Sequence, residues 1–204
     1  MFDEKYPEVD PNKKTSKEIW EGRYNSVSGF LFGKEPVALL NSHVGHLKTG
    51  KALDIAMGEG RNAVFLAGQG FEVEGMDGNA KAIERANSLA AEKKATISAK
   101  TQNLDFFLMP LMKYDTIVMT YFRPQARFFS EVLRGLVPGG TFALEAYTAE
   151  QVRATPNNPN LDFEECYKPN EVLGHLKNFE VLYYSELPIG GSHVVQVVAR
   201  KPKN

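Results

Sequence analysis

Residues 52–63 read ALDIAMGEGRNA, and this stretch decides the fold. Residues 51–56 are apolar enough for a short buried strand, a glycine-rich turn follows, and residues 61–68 carry apolar side chains at helical spacing. Gly58 and Gly60 lack a Cβ, so the backbone of this turn can come close to a ligand. The helix start adds free N–H groups and a partial positive charge, which suit a carboxylate or phosphate. The stretch therefore predicts a ligand site where a strand turns into a helix.

Two acidic residues accompany this turn. Asp77 ends the second predicted strand, where a carboxylate can bind both hydroxyls of a ribose. Residues 58–63 also fit the dinucleotide pattern G-x-G-x-x-A, which is weak evidence alone and keeps a nicotinamide-dependent oxidoreductase open. Asp54 lies within the first strand, where its charge would oppose a pyrophosphate and would suit a ligand with a cationic group nearby. The chain also leaves little room for the separate substrate domain that a dehydrogenase usually has.

Strands and helices alternate along most of the chain, which predicts an α/β fold with a mostly parallel, doubly wound sheet. A short link through Pro188 joins the last two strands, so we expect these two to pair in antiparallel fashion. A turn is expected at residues 137–140. The predicted helices are 16–25, one that starts near Pro36, 61–68, 80–93, 124–136 and 171–177, and the predicted strands are 51–56, 71–76, 96–100, 114–120, 141–146, 181–186 and 193–201.

Length and composition predict one domain rather than several. The chain has 204 residues, 43% of them hydrophobic, and about 150 residues per domain is usual. Residues 1–15 are polar and read as a flexible arm. Residues 16–48 read as an N-terminal helical segment that could form a lid, and residues 51–201 as a Rossmann-like core.

Charge and cysteine content disfavour several classes of protein. The 24 basic and 25 acidic residues leave a net charge of −1, so no nucleic-acid partner is expected. No apolar run is long enough for a transmembrane helix, so no membrane partner is expected either. Cys166 is the single cysteine, and the first residues are unlike a signal peptide, which together predict a cytoplasmic protein. Either a monomer or a homodimer is compatible with the sequence.

Residues 52–63 resemble motif I of the class I S-adenosylmethionine-dependent methyltransferases. The sequence from Gly58 to Ala63 resembles that of one branch of this class, which holds the small tellurite-resistance-like enzymes. Thiopurine methyltransferase is a more distant relative. The resemblance implies a seven-stranded sheet in the order 3-2-1-4-5-7-6 with strand 7 antiparallel, S-adenosyl-L-methionine as cofactor, and a small-molecule methyl acceptor. It also rests on segments 32–36, 73–77, 102–104, 114–118 and 136–142.

The resemblance also implies a set of site residues. Transfer from a sulfonium is an in-line displacement that needs alignment rather than a protein nucleophile, so no catalytic residue is named, and no metal is expected. Expected at the acceptor are Trp20, Tyr24, Tyr121, Arg123 and Tyr147. Expected at the cofactor are Asp54, Ala56, Gly58, Glu59, Gly60, Arg61, Asn62, Asp77, Gly78, Asn103, Leu104 and Thr120.

The chain departs from the family pattern at two of these positions. Ala56 stands where the family usually has Gly, and we expect the turn to survive with a slight shift. Asn103 stands where the family commonly has Asp, and its carbonyl oxygen can still accept a hydrogen bond from the adenine amino group.

Each site residue also has a purely structural interpretation. Asp77 could cap the following helix, Arg61 and Asn62 could belong to a helix start, and Arg123 could be an exposed charge at another helix start. Trp20 and Tyr24 could be the apolar face of a packed helix, and His43 and His46 are typical of surface or capping residues rather than a metal site. A non-catalytic module that binds the adenosyl cofactor therefore stays open beside the two enzymes. Titration with S-adenosylmethionine, S-adenosylhomocysteine and NADH would separate the three.

Overall fold

The computed structural model describes residues 16–158 and 161–203. A central sheet with helices on both faces forms the core of the described chain. Its strands are β1 Lys51–Ile55, β2 Glu72–Asp77, β3 Ile97–Thr101, β4 Tyr114–Thr120, β5 Leu136–Tyr147, β6 Glu180–Ser185, β7 Pro188–Ile189 and β8 Ser192–Arg200. Its helices are α1 Ser16–Asn25, α2 Ala38–His43, α3 Arg61–Gly68, α4 Ala80–Lys93, α5 Arg127–Gly135, α6 Ala149–Ala154 and α7 Glu171–His175.

The sheet order confirms the expected fold. The strands run β3-β2-β1-β4-β5-β8-β6, and β8 is antiparallel to both of its neighbours. The structure adds the two-residue strand β7, which pairs with β8 beyond this path. It lies in the short link that the sequence analysis placed between the last two strands. The parallel strands β1 to β5 bring their carboxyl ends to one edge of the sheet, which we call the carboxyl edge.

Apolar side chains explain why the central strands are buried on both faces. One cluster, which includes Leu53, Ile117 and Phe142, packs beneath α5, and another packs beneath α2 and α3. Strands covered on both faces read as continuous apolar runs, as β4 and β5 do. Asp54 and Glu145 are therefore exceptional, because each places a carboxylate inside a fully buried strand.

Several expected boundaries are wrong. The turn at residues 137–140 lies within β5 and forms an irregularity, since Tyr114 pairs with Leu136 while Thr116 pairs with Thr141. The helix that was expected to start near Pro36 starts at Ala38, and the one expected over 124–136 starts at Arg127. Val37, which follows Pro36, has extended backbone with φ −62° and ψ 153°, so α2 begins only after it. Helix α6 was not predicted at all.

The expected flexible arm, residues 1–15, lies outside the described residues. Segment 16–48 begins with α1, which has the predicted bounds, and continues through α2 to a short 3-10 helix at Val44–His46. Within the described residues, no helix is long and apolar enough to cross a membrane.

Candidate active site

The turn between β1 and α3 adopts the left-handed backbone that its glycines favour. Ala56, Gly58 and Gly60 have φ values of 54°, 55° and 82°. Ala56 survives there, as expected, although its Cβ makes this conformation cost about 1–2 kcal/mol. A Cβ on Gly60 would lie 2.7 Å from the Cβ of Ala86. Gly60 therefore serves the packing of α3 against α4 as well as the turn.

Asp54 is the most unusual group at the carboxyl edge. Its side chain is 0% exposed, and neither carboxylate oxygen has a hydrogen-bond partner among the described residues. Burial raises the pKa of this carboxyl to about 7, the charge of nearby Asp77 adds to the effect, and the charge of Arg61 and the backbone amide of Ala63 oppose it. Burying an unpaired carboxylate is costly, so the position calls for a cationic partner.

Asp77 ends β2 beside the glycine-rich turn. Its Oδ2 accepts the Gly58 amide at 2.9 Å and its Oδ1 accepts the Asn79 amide at 2.8 Å. Burial raises the pKa of Asp77, and these backbone hydrogen bonds oppose the rise. The alternative that Asp77 caps α4 is wrong, because the Asn79 side chain accepts the amides of Lys81 and Ala82.

The N-terminal segment packs over the turn through aromatic side chains. Trp20, Tyr24 and Phe32 form a cluster with ring centroids 5.9 to 6.5 Å apart. The Tyr24 hydroxyl lies 3.0 Å from where a Cβ on Gly58 would be, which places this tyrosine directly at the turn. Tyr24 is buried, so the packed-helix interpretation describes it well, while its position beside the turn also agrees with a lid.

A buried ion pair fastens this segment to the turn. Glu59 Oε1 accepts from Arg85 at 2.7 Å, and Glu59 Oε2 accepts the Phe32 amide at 3.2 Å. The other terminal nitrogen of Arg85 donates to the carbonyl oxygens of Tyr24 and Val27. The Glu59 carboxylate therefore anchors the N-terminal segment, and any contact of Glu59 with a cofactor would come from its backbone.

Asn62 and Thr120 are likewise joined to each other. Asn62 donates to Thr120 Oγ1 at 2.9 Å and accepts the Val37 amide at 3.0 Å. Both side chains are buried, so they fix α3 to the end of β4 and to the start of α2. Their place at the carboxyl edge agrees with the expectation, although these contacts are structural.

Arg61 and the two tyrosines meet near the ends of β4 and β5. The Arg61 guanidinium lies 5.9 Å from the ring centroid of Phe32 and 5.8 Å from that of Tyr121, and it donates to the Phe32 carbonyl. The rings of Tyr121 and Tyr147 lie 4.7 Å apart. The structure thus brings these three expected residues together, in keeping with a shared pocket.

Arg123 is not the exposed helix-start charge that the structural alternative proposed. Its guanidinium donates to the Glu164 carbonyl at 2.9 Å and to Glu171 Oε1 at 2.7 Å, and it lies over the Tyr167 ring. Helix α5 starts only at Arg127. Arg123 therefore ties the end of β4 to residues 164–171, and its expected contact with an acceptor stays a prediction.

The residues expected around an adenine follow β2 and β3. Asn103 is exposed, and its Oδ1 accepts the Asp105 amide at 2.9 Å, while Leu104 packs against the core. At Gly78, a Cβ would meet only the Gln102 carbonyl, at 3.9 Å. Asn103 and Leu104 therefore give this part of the carboxyl edge one polar and one apolar side, as expected around an adenine.

The contacts of His43 and His46 agree with the structural interpretation of these two residues. His43 packs against Tyr183 with 3.9 Å between ring centroids, and His46 lies 5.7 Å from His43. The described part of the chain holds no cluster of three His, Cys, Asp or Glu that could bind a metal ion.

Comparison with known protein families bears on the open interpretations. Residues 52–140 match a family model described as a methyltransferase domain. That segment therefore resembles a methyltransferase domain. The match favours a methyltransferase with S-adenosylmethionine as its cofactor over a nicotinamide-dependent oxidoreductase. A search of curated proteins gives no match.

Solved structures share the fold of this chain at low sequence identity. TehB from Haemophilus influenzae is 21% identical with a TM-score of 0.64, over 80% of this chain and 61% of TehB. The chain thus spans less than two thirds of the length of TehB. A SAM-dependent methyltransferase from Methanosarcina mazei is 20% identical with a TM-score of 0.63, over 83% of this chain and all of that one. The [4+2]-cyclase SpnF is 14% identical with a TM-score of 0.65, over 81% and 79% of the two chains.

Sequence reasoning missed two charged residues at this site. Arg85 lies on α4, and Glu145 lies within β5, where it accepts hydrogen bonds from Tyr121, Leu39 and Gln196. Glu145 could have been recognised from the sequence, because an acidic residue inside the apolar run ALEAY is as unusual as Asp54 in ALDI. Nothing in the sequence distinguishes Arg85 from any other charged residue on an amphipathic helix.

Proposed function

We propose that this enzyme transfers a methyl group from S-adenosylmethionine to a small-molecule acceptor, with the cofactor held at the turn between β1 and α3. The observation that carries the proposal is Asp54, a buried carboxylate without a partner among the described residues. The amino group of the cofactor's methionine moiety is cationic and would supply that partner. An unpaired buried charge is otherwise hard to explain in a strand so well packed.

The remaining residues fit the cofactor as well. The Asp77 carboxylate is oriented by two backbone amides, and each of its oxygens keeps a lone pair for a ribose hydroxyl. The same holds for Asn103 Oδ1, which accepts the Asp105 amide and can accept an adenine amino group too. Gly58 and Gly78 leave room for close approach, and Leu104 offers an apolar surface to the base.

When bound, the cofactor supplies an electrophilic methyl group that needs no activation by a protein nucleophile. The residues of this chain must therefore align the acceptor with that group and exclude water. We assign the exclusion of water at the turn to Tyr24, which is buried and has its hydroxyl beside Gly58. Aromatic rings also stabilise a nearby cation, and Tyr121 and Tyr147 present theirs at the ends of β4 and β5.

A small acceptor is supported by the size and lining of a neighbouring cavity. Its volume is about 220 Å³, and its wall combines apolar residues such as Val37, Ile189 and Val194 with polar ones. Arg61 and Tyr121 also line it, so it adjoins the turn that we assign to the cofactor. A cavity of this size suits a compact organic molecule rather than a nucleic acid.

Cellular location and assembly belong to the proposal as well. We infer a single-domain cytoplasmic enzyme, which is supported by the buried free thiol of Cys166, a state that a reducing compartment maintains. The enzyme is a monomer or a homodimer, and light scattering on the purified chain would separate the two.

Isothermal titration tests the proposal directly. We expect S-adenosylmethionine and S-adenosylhomocysteine to bind and NADH not to bind. Asp54→Asn removes the negative charge with little change of shape, so it should weaken binding of both adenosyl ligands. Asp115→Asn is the matched control, because Asp115 pairs with Lys48 and Lys51 at the opposite edge of the sheet. Binding of NADH, or equal affinity in Asp54→Asn and the wild type, would contradict the proposal.

A further inference from the structure

The cavity at the carboxyl edge has a distinct polar wall. It lies between the start of α2 and the link from β7 to β8, and its volume is about 220 Å³. Six of the ten lining residues are apolar or glycine, whereas Arg61, Tyr121, Glu145 and Ser192 contribute polar side chains. Tyr121 and Glu145 are the two that are bonded to each other.

Three donors engage the Glu145 carboxylate. Its Oε1 accepts the Tyr121 hydroxyl at 2.7 Å. Its Oε2 accepts the Leu39 amide at 2.9 Å and the Gln196 side-chain amide at 2.7 Å. These three donors hold the carboxylate in one orientation, and the side chain is buried. The hydrogen bond from the Tyr121 hydroxyl to Oε1 is the contact that couples this buried carboxylate to the tyrosine at the cavity wall.

The bond to Glu145 fixes what Tyr121 can offer. A phenol has one proton to donate, and the proton of Tyr121 points to Glu145 Oε1, so its oxygen presents only lone pairs to the cavity. The Tyr121 backbone is held as well, because its amide donates to the Glu145 carbonyl at 2.7 Å. Its φ of 51° is rare for a tyrosine, and such strained positions cluster at functional sites.

We infer that the methyl acceptor is a small molecule whose nucleophilic atom carries a hydrogen, as in a hydroxyl, thiol or amine, and that this hydrogen is donated to Tyr121 Oη. The inference rests on the proposed function and specifies its substrate class. Tyr121 is the residue that contacts the acceptor, and Glu145 is a positioning residue that orients the tyrosine proton. Nucleophiles without a hydrogen, such as thioethers and fully ionised oxyanions, leave the Tyr121 lone pairs unmatched.

The same arrangement gives the acceptor proton a destination. As the bond from the methyl carbon to the acceptor atom forms, the bond from that carbon to sulfur breaks, and its electron pair stays on sulfur. The acceptor proton moves to Tyr121 Oη while the tyrosine proton moves to Glu145 Oε1. Glu145 ends neutral and Tyr121 stays a phenol throughout, which agrees with a pKa of Tyr121 that burial and the charge of Glu145 raise.

A matched pair of probes tests the inference. Phenol can donate a hydrogen bond and anisole cannot, although both can accept one and both suit the size of the cavity. Binding of each is measured by NMR titration of the enzyme saturated with S-adenosylhomocysteine. We expect phenol to bind about three- to tenfold more tightly than anisole, the usual range for one net hydrogen bond.

Three variants separate the chemistry from the fold. In Tyr121→Phe the preference for phenol should disappear. In Tyr183→Phe it should remain, because that hydroxyl bonds Gln196 at the far end of the same network. In Glu145→Gln it should reverse in favour of anisole: the amides of Leu39 and Gln196 fix the glutamine oxygen, so its NH₂ donates to Tyr121 and turns the tyrosine proton into the cavity.

The outcomes are distinct from those that test the cofactor. No preference in the wild type, no binding of either probe, or a preference that survives in Tyr121→Phe would each overturn the inference. Failure of the wild type to bind S-adenosylhomocysteine would instead refute the proposed function. The probe titrations on the free enzyme would then still report on the cavity.

Discussion

Arg85 should control how firmly the N-terminal segment covers the active site. In the structure it donates to Glu59 Oε1 at 2.7 Å and to the carbonyls of Tyr24 and Val27 at 3.0 and 2.6 Å. Arg85→Ala removes all three contacts at once. It also leaves Glu59 as a buried carboxylate, still bonded to the Phe32 amide but without a cation.

The contacts give the size of the effect. The side chains of Arg85 and Glu59 are 12% and 2% exposed, so the pair is largely shielded from water. Removing one partner of a buried pair costs about 3–5 kcal/mol, mostly because the other charge is left unpaired. The loss should be local to residues 18–37, because α1 precedes the sheet and takes no part in its hydrogen bonding.

Hydrogen exchange measured by mass spectrometry reports this local loss. Lys81→Ala is the matched control, since Lys81 lies on the same helix and bonds Asn25 of the same segment through an exposed contact at 2.9 Å. Such contacts contribute about 0–1 kcal/mol. We expect exchange in residues 18–37 to accelerate strongly in Arg85→Ala and little in Lys81→Ala. Adding Glu59→Gln to Arg85→Ala should restore part of the protection. Equal exchange in both single variants would refute the reasoning.

Three further predictions follow from the site. Ala56→Gly should raise the free energy of unfolding by about 1 kcal/mol, because glycine adopts a positive φ without strain, and urea denaturation would check this. Asp77→Ala should weaken binding of S-adenosylhomocysteine by about 1.5–3 kcal/mol in calorimetry, the range for hydrogen bonds to a charged group, and unchanged affinity would remove Asp77 from the site. Asp54 should make the free enzyme less stable as pH rises, because its pKa increases from 3.8 to about 7 on folding, so the folded state holds the proton more tightly and that advantage is lost between these values. Urea denaturation at pH 5 and pH 8 should show this difference in the wild type and a smaller one in Asp54→Asn.

The lid hypothesis for residues 16–33 makes its own prediction. The structure packs Trp20 and Tyr24 beside the turn but shows one arrangement only. If the segment orders over the cofactor, exchange there should slow when S-adenosylhomocysteine is added, and Trp20 fluorescence should change. Slow exchange without ligand, and no response to it, would make the segment ordinary packed structure.

Local patterns were enough to predict most strands and a mostly parallel sheet. Buried strands are short apolar runs, which located the strands along the chain, whereas their order came from the resemblance to the methyltransferase family. The predicted ends of helices and strands were wrong where the local backbone conformation differs from the one that the residue pattern suggests. Residues 137–140 look like a turn, yet β4 continues beside them and makes them an irregularity within β5.

The candidate site was predictable in position but not in contacts. The sequence places Asp54, Asp77 and Tyr121 at strand ends, which share one edge of a parallel sheet. It does not show that Glu59 meets Arg85 or that Glu145 meets Tyr121, because such partners are 24 to 26 residues apart and lie on different elements. Side-chain pairing of this kind depends on how the elements pack, which a single sequence leaves open.

The most direct test of the account is a crystal structure of the enzyme with S-adenosylhomocysteine, read at Asp54. The account predicts the ligand at the turn between β1 and α3, with its amino nitrogen within about 3.2 Å of an Asp54 carboxylate oxygen, the reach of a hydrogen bond. The ribose hydroxyls should lie at Asp77. A ligand bound elsewhere, or an Asp54 carboxylate that remains without a partner in the complex, would contradict the account.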